Sequence, residues 1–341
     1  MAETIRDFSK NVLLKLESIS EGQIQIFPHA RVDGDCLGTA VALALSLRKM
    51  GKDAKVMTEW AIPPRLQFMN VPEEILTIVN EENTPENRKI QAVAFAVDCS
   101  EGSRMGPAED LFEGAETKIV LDHHISSSVS GDLAYVDGTS ASCAELLYQV
   151  LKAWEEDLGV TLMDQQVADC LMVGIQSDSG KFSYENTKPS TLRIAADLME
   201  RGANLTDNAF HLFDETSEGK VRLHGLALSN MKLYADGKIA ITKITRKMME
   251  ETNAPEGAAD GIVNILRDID TVMASFVVRE NDDGVLRANC RTKVGFDAAE
   301  FAQKMGGGGH HRASGFGEND MDIDSFMDKI VKEATAFLNQ A

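Results

Sequence analysis

Asp33, Asp35, Asp98, Asp122, His123, His124 and Asp178 are spread over half the chain, yet nearly every one closely follows a short apolar run. Ile24 to Phe27 leads into His29-Ala-Arg-Val-Asp33-Gly-Asp35, Ala92 to Val97 into Asp98, and Lys118 to Leu121 into Asp122-His123-His124. Carboxylates and imidazoles gathered without lysine partners repel one another and are costly to desolvate, and divalent cations remove both costs. Oxygen ligands with a minority of imidazole nitrogen and no thiolate suit manganese first and magnesium second, ahead of structural zinc. A site holding divalent metal ions is therefore expected.

The elements that must bring these residues together are strands of a parallel sheet, whose ends line one edge. From Ile24 to about Ala196, β-rich runs alternate with longer helical ones at Leu37 to Met50, Ser142 to Glu155, Asp164 to Gln176 and Pro189 to Arg201. That alternation predicts βαβ units and a parallel sheet with helices on both faces. Ser142-x-x-Glu145 has the form of a capping box, and Pro189 suits the first turn of a helix ending at Gly202. The two aspartates of Asp33-Gly34-Asp35 are expected in a loop, diverging towards two cations, with Gly34 supplying backbone freedom. Asp178 stands at the end of an apolar helix, before the turn at Gly180.

Beyond Gly202 the pattern changes to helices around Asn208 to Phe213 and Gly219 to Lys232. The β-rich stretches Lys238 to Ile244, Val272 to Arg279 and Gly284 to Arg291 follow, with a helical segment Gly261 to Arg267 among them. Asn281-Asp-Asp-Gly284 reads as a hairpin turn. The predicted class is α/β, with three parts: a metal-binding domain over 1–205, a helical linker over 206–233, and a smaller mixed-sheet α/β domain over 234–341.

Composition narrows the partners. A formal net charge of −20 argues against coating long duplex nucleic acid, which needs a broad basic surface. A small anionic substrate could be met locally by metals and by Arg279, Arg287, Arg291 and Arg312. Five cysteines with no close pair fit neither a disulfide framework nor a zinc knuckle, so they are expected reduced and packed. The N-terminus lacks a basic region followed by an apolar stretch, and no segment is long and apolar enough for a membrane, which predicts a cytoplasmic protein. Of seven histidines, His29, His123, His124, His310 and His311 fall in the candidate loops, whereas His211 and His224 lie in ordinary helical pattern.

Together these elements resemble the DHH family of phosphoesterases, named for the triplet seen here as Asp122-His123-His124. The resemblance spans almost the entire chain. Its motifs appear in the family's order as His29-x-x-x-Asp33-x-Asp35, Val97-Asp98-Cys99-Ser100, Asp122-His123-His124 and Gly174-x-x-x-Asp178-x-Gly180. Val32 stands where many relatives have proline and removes no ligand. The resemblance implies one metal on His29, Asp33 and Asp98, and a second on Asp35, Asp98, His123 and Asp178, with Asp98 bridging. It implies that His124 faces the substrate phosphate while Asp122 orients a histidine or loop.

Gly306-Gly-Gly-Gly-His310-His-Arg-Ala-Ser-Gly315 resembles the glycine signature of the DHHA1 domain. There the resemblance implies substrate binding by Gly308, Gly309, His310 and Arg291, with Arg279 in the paired strand upstream. Length and this two-domain layout resemble the compact branch that includes oligoribonucleases and 3′-phosphoadenosine-5′-phosphate (pAp) phosphatases. The expected activity is hydrolysis of short RNA oligomers or pAp by a metal-bridging hydroxide, with the second domain holding the rest of the nucleotide across an interdomain cleft. Linear di-adenylate or cyclic dinucleotides are the alternative substrates, and a nucleotide sensor on the same fold is the alternative without catalysis. A homodimer is compatible with this reading.

Overall fold

The computed structural model describes residues 4–19, 23–79, 91–281 and 284–339. The chain divides into two compact units, residues 1–215 and 216–341. In the first, strands β1 (Gln23–Phe27), β2 (Ala54–Thr58), β3 (Leu76–Ile78), β4 (Gln91–Val97), β5 (Lys118–Asp122) and β6 (Leu133–Val136) form one sheet. Every pairing in it is parallel and the order is β3-β2-β1-β4-β5-β6. Chain connections leave in opposite directions from between β1 and β4, where such a sheet opens a crevice beyond the strand ends.

A strand buried on both faces reads as a continuous apolar run, and β4 shows why. Val93, Phe95 and Val97 enter a large core with Ile24, Ile26, Ile119 and Leu121, whereas Ala94 and Ala96 join Phe27, Met105 and Phe112 on the other face. The larger core is closed by helices Ile5–Glu17, Gly34–Lys49, Cys143–Leu158 and Gln165–Ser179. Helix Gly34–Lys49 has thirteen of its sixteen residues buried, so its apolar residues surround it and no polar stripe marks one face. It meets Gln165–Ser179 at very short range: a Cβ on Gly38 would collide with the Cys170 carbonyl, and one on Gly174 would lie 2.7 Å from an oxygen of Asp35.

The helix starts carry one correction. Ser142 Oγ accepts the Glu145 N–H at 3.1 Å, but the Glu145 carboxylate accepts from the Ala141 N–H and the Thr191 hydroxyl. Only half of the expected capping box forms. Pro189 opens its helix, Pro189–Glu200, as predicted.

The second unit begins just before helix Glu218–Ser229, while helix Leu205–Ala209 and the π-helical turn Phe210–Asp214 group with the first. Its sheet contains β7 (Lys232–Tyr234), β8 (Ile239–Ile244), β9 (Ala274–Glu280), β10 (Leu286–Thr292), β11 (Gly308–His310) and β12 (Ala313–Glu318) in the order β11-β12-β10-β9-β8-β7. Only β8 and β9 run parallel. Asn281 and Gly284 close the predicted β9–β10 turn through a backbone hydrogen bond; its residues 282 and 283 lie outside the described residues. No helix among the described residues is long and apolar enough to cross a membrane, and all five cysteines are free and buried.

Candidate metal centre

Three strand ends and two helices converge at the crevice. His29 lies two residues past β1, Asp98 directly follows β4, and Asp122 ends β5 with His123 and His124 next. Asp33 and Asp35 are not in a loop. Asp33 is the N-cap of helix Gly34–Lys49, accepting the backbone N–H groups of Asp35 and Cys36, and Asp35 sits in the first turn. The glycine between them is required for space: a Cβ on Gly34 would lie 2.7 Å from the Ser177 Cβ. Asp178 comes from the last turn of helix Gln165–Ser179, so the glycine contacts between these two helices bring Asp35 and Asp178 to the strand ends.

The side chains form two groups joined by one carboxylate. His29 Nε2 lies 3.4 Å from Asp33 Oδ2 and 3.9 Å from Asp98 Oδ2. His123 Nε2 lies 3.3 Å from Asp98 Oδ1, 3.2 Å from Asp178 and 3.7 Å from Asp35. Each oxygen of Asp98 thus faces a different group. Asp98 also has a left-handed backbone, φ 53°, a conformation uncommon outside glycine and one often held at functional sites.

Manganese-sized and magnesium-sized ions hold oxygen and nitrogen at about 2 Å, so ligands of one ion sit roughly 3–4 Å apart, as they do here. Direct pairing does not satisfy them. His29 Nδ1, Asp98 Oδ1 and His123 Nε2 are buried with no hydrogen-bond partner, a costly state that a cation relieves at the latter two atoms. The residues fit divalent-metal binding. Cys36 Sγ is close enough to join the first group, but it accepts the Asp33 N–H at 3.2 Å, and burial followed by the Asp33 charge pushes its thiol well up. It caps the helix as a neutral thiol.

Electrostatics without metal show the strain of this gathering. Burial, then the charges of Asp98 and Asp178, raises Asp35 well above the usual carboxylate range. Burial likewise raises Asp98, against the opposing influence of the adjacent His123. At His123 burial disfavours the cation, but the neighbouring carboxylates of Asp178, Asp98 and Asp35 prevail and carry it up to about 11. Asp33 is opposed by burial too, yet His29 and Cys36 hold it down at about 2. The metal-free centre therefore retains protons at neutral pH, and a metal must displace them, so its affinity falls as pH is lowered.

Asp122 serves His124. Its Oδ1 lies 2.8 Å from His124 Nδ1 and accepts the His124 backbone N–H at 3.2 Å. This fixes the ring with Nε2 as its free nitrogen, and the hydrogen bond donated to the Asp122 carboxylate raises the His124 pKa.

Two supports carry no warning in residue type. The backbone N–H groups of Cys143 and Ala144 bind the Asp35 carboxylate at 2.7 and 2.9 Å, placing a helix N-terminus against it. The signal was Ser142, legible only as a cap. Arg104 bonds Ser100 Oγ through its guanidinium, and its carbonyl accepts the Ala30 N–H at 2.6 Å, tying the His29 loop to the end of β4. Its sequence position gave no sign of this.

In the second unit, the glycine run is an edge strand. A Cβ on Gly307 or Gly309 would strike the backbone of Gly315 or Ala313, so close packing of β11 on β12 requires both glycines, whereas Gly308 has open space. Arg291 projects from β10 and hydrogen-bonds its neighbour's carbonyl. His310 is exposed at the end of β11, and Arg279 lies on β9, 3.9 Å from Asp260. His211 stacks on Phe68 and pairs with Glu215, and His224 bonds the Ala258 carbonyl.

Residues 23–175 match the N-terminal domain of the DHH family, and residues 236–340 match the DHHA1 domain. A bifunctional oligoribonuclease and PAP phosphatase NrnA of Thermus thermophilus is 29% identical, over 94% of this chain and 92% of that protein. The Bacillus subtilis protein of the same description is 26% identical, over 84% of this chain and 86% of its own length. An exopolyphosphatase-related protein from Bacteroides fragilis shares the fold, with a TM-score of 0.79, 22% identity and 97% of both chains covered.

Proposed function

The chain belongs to the DHH family and carries a DHHA1 domain beside its DHH domain, and on that premise we propose a manganese-dependent phosphohydrolase of short nucleotides. Short RNA oligomers and pAp are the substrates assigned to it. The observation that carries the reading is Asp98, whose two oxygens each face a separate cluster of histidine and aspartate side chains, with Asp98 Oδ1 and His123 Nε2 buried and without a hydrogen-bond partner. Relatives described as oligoribonuclease and PAP phosphatase align over most of the chain and support the substrate class.

His29 and Asp33 would hold one ion, Asp35, His123 and Asp178 the other, and Asp98 both. Such ions supply activated water and neutralisation of phosphate charge. The protein's own part is orientation. Asp122 holds the His124 ring by Nδ1, leaving Nε2 for a phosphate oxygen, where charge grows as the bond to phosphorus forms. Arg291, with its planar fork, is assigned to a phosphate away from the reacting one, together with Arg279, Gly308, Gly309 and His310.

Arg291→Ala tests the division of labour. Loss of a charged hydrogen bond, roughly 1.5–3 kcal/mol, corresponds to about a tenfold to hundredfold fall in kcat/KM for a nucleotide. Bis-p-nitrophenyl phosphate, which lacks the remote phosphate, should lose far less. Equal losses on both substrates would mean that Arg291 supports the fold or the metal centre instead.

A further inference from the structure

We propose that Asn186 is a positioning residue for the second ion, holding Asp178 and the backbone support of Asp35 at a fixed separation. The inference rests on the two-ion reading above and adds a residue that belongs to neither ligand group. Asn186 lies past the end of helix Gln165–Ser179, and its side-chain Nδ2 donates to two backbone carbonyls at 3.0 Å each, those of Asp178 and Ala141. Both partners are carbonyl oxygens, which only accept, so they fix which way the amide faces.

The two carbonyls belong to the two chain ends that shape the second group. The last carbonyls of a helix have no partner within it. Those of Gln176, Ser177, Ser179 and Gly180 accept backbone N–H groups from the turn that follows, while the Asp178 carbonyl takes the Asn186 amide. Ala141 directly precedes Ser142, the N-cap of helix Cys143–Leu158, whose first N–H groups, at Cys143 and Ala144, bind the Asp35 carboxylate. Asp178 and Asp35 in turn lie 3.2 and 3.7 Å from His123 Nε2. One amide thus bridges the ends of two helices and sets the spacing of two carboxylates about one histidine.

The backbone between Asp178 and Asn186 is built to make that contact. Gly180, Lys181 and Phe182 all take left-handed dihedrals, φ 54°, 57° and 64°, a costly choice for lysine and phenylalanine. Gly180 alone is enough to end a helix; the two further residues reverse the chain so that Asn186 returns to the helix end. The Phe182 N–H secures the turn on Ser179 Oγ at 3.0 Å. Asparagine suits the task because its NH2 group supplies two donors from one atom at short reach, whereas serine or threonine supplies one and an ionised aspartate none.

Manganese binding to the chelator-stripped chain, followed by the electron paramagnetic resonance signal of the free ion, tests the proposal on the unmodified chain, on Asn186→Ala and on the isosteric Asn186→Asp. Two sites should be seen in the unmodified chain. In each variant one site should stay within about twofold and the other weaken roughly 10- to 100-fold, the loss usual when a partner of a metal ligand is removed. The manganese concentration for half-maximal hydrolysis of pAp should rise by a similar factor, and kcat at saturating manganese should return to near the unmodified value. A residue serving only the fold would not be rescued by manganese. Unchanged affinities, or equal weakening of both ions, in a variant that melts like the unmodified chain would overturn the proposal; Asn186→Asp decides if Asn186→Ala folds poorly. An unmodified chain with two manganese sites but no turnover of nucleotides would sink the proposed activity and leave this inference to the binding series. Fewer than two sites in the unmodified chain would overturn the two-ion reading and this inference with it.

Discussion

Asp98→Asn should reduce turnover on the order of a thousandfold or more, the several kcal/mol that two-metal catalysis supplies, with bound metal falling alongside. Asparagine offers one oxygen and an NH2 group where the two clusters each face an oxygen, so the two proposed ions cannot both keep their ligand sets. The substitution isolates chemistry from folding. Asn is among the residues that tolerate the left-handed backbone Asp98 adopts, and the hydrogen bond from its backbone N–H to the Leu121 carbonyl survives. Near-normal turnover in a folded Asp98→Asn chain would remove the dinuclear centre.

The adjacent histidines should separate by readout. His123 faces Asp98, Asp178 and Asp35, so His123→Ala should lose metal from the second group and activity with it. His124 is held by Asp122, so His124→Ala should keep its metal and still lose about a hundredfold or more in kcat, since a group meeting the phosphate acts chiefly in the transition state. Elemental analysis of both purified variants decides. Equal metal loss would show that the division of the pair is wrong.

The clustering of these side chains was legible because strand ends are: an apolar run followed at once by Asp98, or by Asp122-His123-His124, needs no knowledge of distant contacts. The class of both sheets followed from the same periodicity. Other features depend on surroundings that residue type does not encode. Asp35 was placed in a loop, because nothing in Asp33-Gly34-Asp35 says that Ser177 packs against Gly34 and that the helix starts at once. Helix Gly34–Lys49, buried nearly all round, shows no polar stripe to set its rotation. The glycine run reads as a ligand loop, yet Gly307 and Gly309 are demanded by the neighbouring strand. The backbone support of Asp35 by Cys143 and Ala144 uses N–H groups that every residue but proline has.

The most direct test of the central claim is an assay of the chelator-stripped chain on pAp and on short RNA oligomers, before and after manganese is restored. The account predicts no turnover without metal, and release of phosphate from pAp or of mononucleotides from RNA once manganese is present. Magnesium should substitute less well. A manganese-loaded chain that binds these nucleotides and hydrolyses none of them would contradict the account and leave a nucleotide sensor on this fold.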